Sequence, residues 1–301
     1  METFYSNGKL LITAEYLVLN GAKALALPTK FGQSLTVETH ADAGIHWQSF
    51  NSENEVWLDT QLSYNKQTLV PDIENDLTLR LVSILNVAKQ LNPDFLKQEK
   101  GLNVKTYLDF PTNWGLGTSS TLINNIANWA AVNPYKLLEL TFGGSGYDIA
   151  CASNNTPITY TLDKKSPIVK PVIFKPEFSN HIYFVHLNMK QNSREGIAHY
   201  KSNPSDKSEA IKAINTITED LLHCTDLNAF NTLVDAHEAI IADIVNLNPV
   251  KASLFSDFSG SIKSLGAWGG DFVMVSSAEN PTDYFKQKGY HTILSYQDMI
   301  L

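Results

Sequence analysis

The sequence predicts a mixed α+β protein, and three stretches carry that reading. Leu102, Val104, Thr106, Leu108 and Phe110 alternate with Asn103, Lys105, Tyr107 and Asp109, the two-residue period of a half-buried strand. After a glycine-containing break, Leu122, Ile123, Ile126, Trp129 and Ala130 recur at helical spacing. Leu227, Phe230, Val234, Ile241, Ile244 and Leu247 then describe a long amphipathic helix ended by Pro249.

The other elements follow in chain order. Between Lys9 and Leu27, short apolar runs flank Asn20-Gly21, a dipeptide with easy access to positive φ, which predicts an opening hairpin. Lys164 to Pro176 is punctuated by proline, and a boundary there divides the chain into an N-terminal region (residues 1–165) and a C-terminal region (residues 166–301). Ile182, Phe184 and Val185 mark a strand. His237 and Glu238 fall within the 227–247 helix, and His237 is read as a satisfied polar residue. Phe272 to Val275 reads as a strand directly after the glycine cluster Gly266-Ala-Trp-Gly-Gly-Asp271. No internal repeat or low-complexity stretch is present.

Composition excludes several functions. At 301 residues with 43% hydrophobic content, the chain is an ordinary globular protein. Its net charge is −8 and only Arg80 and Arg194 carry guanidinium, so it has no basic surface to neutralise a nucleic-acid backbone. The N-terminus lacks a basic leader, and Lys9, Thr13 and Glu15 break its apolar runs, so neither a signal peptide nor a membrane span is expected. Cys151 and Cys224 are too few for a disulfide framework and read as thiols of a reducing cytoplasm.

Pro111-Thr-Asn-Trp-Gly-Leu-Gly-Thr-Ser-Ser-Thr121 is the sharpest local feature, because it sits between a predicted strand and a predicted helix. Glycine lets a backbone approach a ligand closely, and the first N–H groups of a helix point at an anion placed there. Hydroxyls at Thr118, Ser119 and Ser120 can add hydrogen bonds or ligate a Mg2+ carried by a nucleotide. The same residues also suit an ordinary capped helix start, and the segment lacks the Gly-Lys-Ser end of a Walker A loop.

Gly115-Leu-Gly-Thr-Ser-Ser120 resembles the central Gly-Leu-Gly-Ser-Ser motif of the GHMP kinases, the superfamily of galactokinase and of the homoserine, mevalonate and phosphomevalonate kinases. Gly8-Lys-Leu-Leu-Ile-Thr-Ala-Glu-Tyr-Leu-Val-Leu19 resembles the opening segment of its mevalonate and phosphomevalonate branches, and Lys263-Ser-Leu-Gly-Ala-Trp-Gly-Gly-Asp271 its C-terminal glycine loop. Gly144-Ser-Gly-Tyr-Asp-Ile-Ala150 is similar to a fourth, Ser-Gly-x-Asp segment. Ala14 and Trp268 depart from the pattern, each standing where it has glycine.

The resemblance implies a two-lobed α+β fold, with a ribosomal S5 domain 2-like N-terminal lobe, a ferredoxin-like C-terminal lobe and the acceptor bound between them. It implies ATP and Mg2+ on Gly115, Leu116, Gly117, Thr118, Ser119 and Ser120. Asp148 would orient or accept the acceptor proton, and Lys9 would stabilise the developing oxyanion. Ser119 is the family-matched Mg2+ ligand, with Glu139 the one acidic candidate for a second, nine positions before Asp148. Glu15, Tyr16, Gly266, Ala267, Gly269 and Gly270 would face the acceptor, and Lys190, Ser193 and Arg194 could hold an anionic one. Tyr16-Leu-Val after Glu15 disfavours the galactokinase branch, and the opening segments of the homoserine kinases and diphosphomevalonate decarboxylases are not found, so the resemblance leaves mevalonate, with phosphomevalonate as the alternative, for the acceptor. A fold that binds nucleotide or metabolite without turnover is the alternative from another class.

Overall fold

The computed structural model describes residues 1–66, 68–190, 193–268 and 271–301. Its chain forms two compact units that interleave in sequence. One comprises Met1–Gly8, Phe31–Thr112 and Leu116–Ser153; the other comprises Lys9–Lys30, Asn113–Gly115 and Asn154–Leu301.

The chain opens with β1 (Glu2–Leu11), passes through a short 3-10 turn at Leu17–Asn20 and enters the 17-residue β2 (Ala24–His40). The expected opening hairpin is present, since β1 pairs with β2, but Asn20-Gly21 is not a tight turn directly joining the strands: Gly21, at φ 87°, donates its N–H to Val18 and ends the 3-10 turn within the longer connection from Leu11 to Ala24. Left-handed glycine serves a helix end as readily as a hairpin, so the dipeptide alone does not tell them apart.

In the first unit, β3 (Ile45–Phe50), β4 (Val56–Asn65) and β5 (Thr68–Pro71) form an antiparallel run. Helix α1 (Asp76–Leu91) follows, capped by the Asn75 side chain. Then β6 (Gly101–Leu108) pairs in parallel with β3, Ile45 opposite Leu102, and antiparallel with the second half of β2, Gln33 opposite Leu108. The predicted strand is present, and Leu102, Val104, Thr106 and Leu108 are its buried face. The ladder stops at Leu108, so Phe110, though buried, is outside it, one residue before Pro111. Helices α2 (Thr118–Trp129), α3 (Pro134–Thr141) and α4 (Tyr147–Ala152) complete the unit, and its core joins Trp47, Leu85 and Val104 to Ile123 and Ile126 of α2.

In the second unit, β7 (Ile158–Asp163) pairs with the start of β2, Ala24 opposite Tyr160, and turns at Lys164-Lys165 into β8 (Ser166–Pro171). Strand β9 (Ile182–His186) precedes helices α5 (Ser193–Ser202), α6 (Ser208–His223), α7 (Leu227–Val245) and α8 (Val250–Leu254). Strands β10 (Ser261–Ser264) and β11 (Phe272–Ser276), helix α9 (Thr282–Gln287), strand β12 (Ile293–Ser295) and helix α10 (Tyr296–Met299) end the chain. The sheet order is β10-β11-β9-β12, antiparallel throughout, with Val185 opposite Val273 and Ile293. Val185, Phe255, Ile262, Val273 and Phe285 fill its core.

Helix α7 starts at Asp226, whose carboxylate accepts the N–H groups of Asn228 and Ala229. It ends before the expected Leu247 because Asn246 takes the left-handed cap at φ 52°. Its buried stripe is Phe230, Val234, His237, Glu238, Ile241 and Ile244, so two ionisable residues occupy the core register.

Candidate functional site

The loop before α2 is built from backbone. Gly115 and Gly117 sit at φ 67° and 97°, a region costing other L-residues roughly 1–2 kcal/mol, and Leu116 between them is fully buried and anchors the loop. Gly117 is the N-cap and offers no side-chain cap. Its carbonyl accepts from the N–H of Thr121, so the amides of Thr118, Ser119 and Ser120 have no acceptor inside the helix. Thr121 Oγ1 donates to Gln33 Oε1 at 2.8 Å and Asn125 Nδ2 to Gln33 O at 2.8 Å, which pins α2 on β2. The three hydroxyls separate: Ser120 is buried with Oγ bonded to Gly117 O at 2.8 Å, Thr118 is half-buried, and Ser119 is exposed. Uncapped amides at a 12-residue helix suit a phosphate, and an exposed hydroxyl beside them suits the metal a nucleotide brings.

The other two motifs reach the same glycine. Lys9 Nζ on β1 donates to Gly115 O at 3.0 Å. A Cβ built on Gly115 would lie 2.2 Å from Asp271 Oδ2, so only a residue without a side chain permits that approach. Trp114 packs edge-on against Phe272 at 5.4 Å, and the ring of His186 meets Asn113 O at 3.1 Å, which fixes 113–115 against β9 and β11. Asp271 ends the third motif, where the sequence pattern alone assigns it no role.

Asp148 lies in the first turn of α4, half-buried, behind Gly146 at φ 89°. A carboxylate there is favoured by the positive helix end. Glu139 is on the exposed face of α3, ion-paired with Lys136 at 2.8 Å.

Glu15 faces away from solvent altogether. It is fully buried, and Lys263, 1% exposed, donates through Nζ to its Oε1 and to Ser264 O. Its Oε2 lies 3.3 Å from His237 Nε2, which accepts the Ala14 N–H at 2.9 Å. Glu238 Oε1 accepts both the N–H and the hydroxyl of Ser264, at 3.1 and 2.7 Å. Burial pushes the Glu15 carboxyl up to about 7 against the pull of Lys263, and raises that of Glu238. Burial and the Lys263 ammonium hold His237 well below its ordinary value. His237 is thus not the fully satisfied helix residue expected from the sequence: its Nδ1 has no hydrogen-bond partner among the described residues. A signal existed, since the apolar register of α7 runs from Val234 to Ile241 through position 237.

Tyr16 stacks on Tyr200 of α5, with centroids 5.5 Å apart, and burial pushes its phenol up to about 12. Gly196 admits the Tyr16 hydroxyl, which a Cβ would meet at 2.5 Å. Ser193 and exposed Arg194 open α5, and Lys190 is exposed before it. In the third loop, Gly266 at φ 64° and Ala267 are half-buried, and Trp268 is buried at φ 42° with Nε1 unpaired among the described residues. Gly269 and Gly270 lie outside the described residues.

Solved structures share this architecture over nearly the full chain. A Lin0012 protein from Listeria innocua is 16% identical with a TM-score of 0.72, covering 97% of this chain and 96% of its own. Methanococcus jannaschii mevalonate kinase is 14% identical with a TM-score of 0.68, over 97% and 96%. Streptococcus pneumoniae phosphomevalonate kinase, in complex with phosphomevalonate and AMPPNP, is 15% identical with a TM-score of 0.67, over 96% and 95%. Structures of a galactokinase and a heptose 1-phosphate kinase show the same likeness. No family model and no curated protein matches the chain. At these identities the likeness shows the fold: the chain has the fold of the GHMP kinases.

Proposed function

We propose that this protein is an ATP-dependent kinase that phosphorylates a hydroxyl of mevalonate or a close relative by direct in-line transfer. The observation carrying the reading is the convergence on Gly115, where Lys9 of the opening motif and Asp271 of the last meet the central motif. The structural neighbours include kinases of mevalonate, phosphomevalonate and galactose, which supports phosphoryl transfer more broadly than it supports any one acceptor.

The nucleotide phosphates would bind the amides of 117–120, and Ser119 would offer its hydroxyl oxygen to a Mg2+ accompanying them, an ion that would offset the phosphate charge. Glu139 serves as second ligand only by giving up Lys136. The acceptor oxygen attacks the γ-phosphorus, the bond to the bridging oxygen breaks, ADP leaves, and Asp148 takes the acceptor proton. Lys9 offsets the negative charge that develops. Glu15, rather than touching the acceptor, positions the turn that carries Tyr16. Lys190, Ser193 and Arg194 hold an anionic group, and a phosphomevalonate acceptor would load that same side of the site. The cysteine-poor composition supports a cytoplasmic setting for the reaction.

Purified protein with ATP and Mg2+, offered mevalonate, phosphomevalonate, galactose and homoserine in parallel, is expected to consume ATP with mevalonate or phosphomevalonate. Asp148→Asn keeps the volume and is expected to lower turnover by about 10²–10⁴-fold with ATP binding retained. Silence with all four acceptors, or a near-native rate for Asp148→Asn, overturns the reading or that assignment.

A further inference from the structure

The opening segment contains an unusual piece of backbone. Ala14 and Tyr16, at φ 68° and 61°, both take the left-handed region, although neither is glycine and both are buried. Conformations of this kind persist where the surroundings over-determine them. Two bonds close the turn from within, Leu17 N–H to Glu15 O at 2.7 Å and Val18 N–H to Ala14 O at 2.9 Å. The third partner is distant in sequence: the Ala14 N–H donates to His237 Nε2 at 2.9 Å.

An amide can only donate, so Nε2 must present its lone pair, and the imidazole proton then resides on Nδ1. Adjacent residues of α7 therefore grip different elements. His237 holds the opening turn, and Glu238 holds Ser264 of β10 by two hydrogen bonds. The Lys263–Glu15 pair closes the ring between β10 and the turn. Both ends of this ring lead to the phosphate loop. Lys9, five residues before the turn, reaches Gly115 O, and Asp271, seven residues after Ser264, packs on Gly115.

We propose that His237 is a positioning residue: as a neutral imidazole protonated on Nδ1, it holds the Ala14–Tyr16 turn in register with β10 and thereby aligns Lys9 with the phosphate loop. The kinetic consequence rests on the kinase reading above; the tautomer does not. The charged and titratable groups facing His237 are Glu15 from the turn and Lys263 from β10, with Glu238 next to it on α7. Burial and Lys263 both oppose a second proton on the ring.

Side-chain nitrogen NMR of the whole protein, with His237 assigned by comparison with His237→Gln, tests the tautomer without any turnover. The expected result is a neutral ring with its proton on Nδ1 from pH 5.5 to 8; an imidazolium, or a proton on Nε2, overturns the proposal. His237→Leu removes the acceptor, whereas His237→Gln places a carbonyl oxygen near the Nε2 position. His237→Leu is expected to lower kcat at least tenfold with ATP affinity within twofold, and His237→Gln to recover most of that loss. Equal losses in both variants, or none in either, overturn the positioning role. If the wild-type chain consumes no ATP with any acceptor, the kinase reading fails while the nitrogen spectrum still decides the tautomer.

Discussion

The glycine loop before α2 and the Glu15 cluster are built by opposite means. The loop leaves the first amides of α2 without a side-chain cap and needs glycine at position 115 because Asp271 stands where a Cβ would be. The cluster encloses Glu15, Lys263, His237 and Glu238, each at most 3% exposed, and holds them by charge and hydrogen bonds among side chains. Backbone recognition requires conformational freedom at one or two residues. Buried charge is costly to hold, and its cost depends on pH.

That difference gives the largest expected effect to the cluster. Glu15 is raised from an ordinary carboxylate value to about 7, so between these values the folded chain holds a proton that the unfolded chain has released. Stability from this group is complete below about 4.5 and is lost as pH rises through about 7. Glu238 adds a slope of the same sign, while His237, held low, makes stability fall as pH drops below its ordinary 6.5. Glu15→Gln leaves Lys263 without its carboxylate partner, a constant loss, but removes the first slope. Relative to wild type, the variant is expected to gain on the order of 3 kcal/mol between pH 4.5 and 8. Denaturant titrations at several pH values read this directly, and parallel curves for the two proteins contradict it.

The loop should answer to geometry and not to pH. Gly115→Ala forces a Cβ onto the Asp271 carboxylate and adds left-handed strain, an expected loss of about 1–2 kcal/mol from strain alone with weakened ATP binding besides. Gly266 has nearly the same φ but no described atom within 4 Å of its Cβ position, so Gly266→Ala is expected to show the strain alone. Melting and nucleotide titration of both variants separate the terms; equal ATP affinity in the two would dissolve the contrast. The smallest effect belongs to Ser119→Ala, expected to raise the Mg2+ concentration for half-maximal rate by roughly tenfold, about 1.4 kcal/mol, without moving stability.

The same contrast explains what the sequence made legible. The β6 strand and α2 announce themselves by period, and the glycine loop between them by composition, because these features depend on neighbours within a few residues. The Asn20-Gly21 turn is local too, yet positive φ at glycine fits a 3-10 end as well as a hairpin. The cluster is not legible, since its contacts join residues 15, 237 and 263 and no short pattern encodes such a distance. Its traces are indirect: an ionisable pair in the core register of α7, and Lys263 opening a motif recognisable by its glycines. Asp271 escapes notice as a site residue for the same reason, its partner Gly115 lying far back in the chain.

Phosphoryl transfer itself is tested most directly by counting products. Wild-type protein incubated with ATP, Mg2+ and mevalonate, or phosphomevalonate in a parallel reaction, would be assayed for ADP and for phosphorylated acceptor by mass spectrometry. The two products are expected in equal amounts with one of these acceptors, and neither without acceptor. ADP formed without a phosphorylated acceptor, or bound ATP left intact with both, would contradict the assignment of this chain as a kinase of mevalonate or its close relatives.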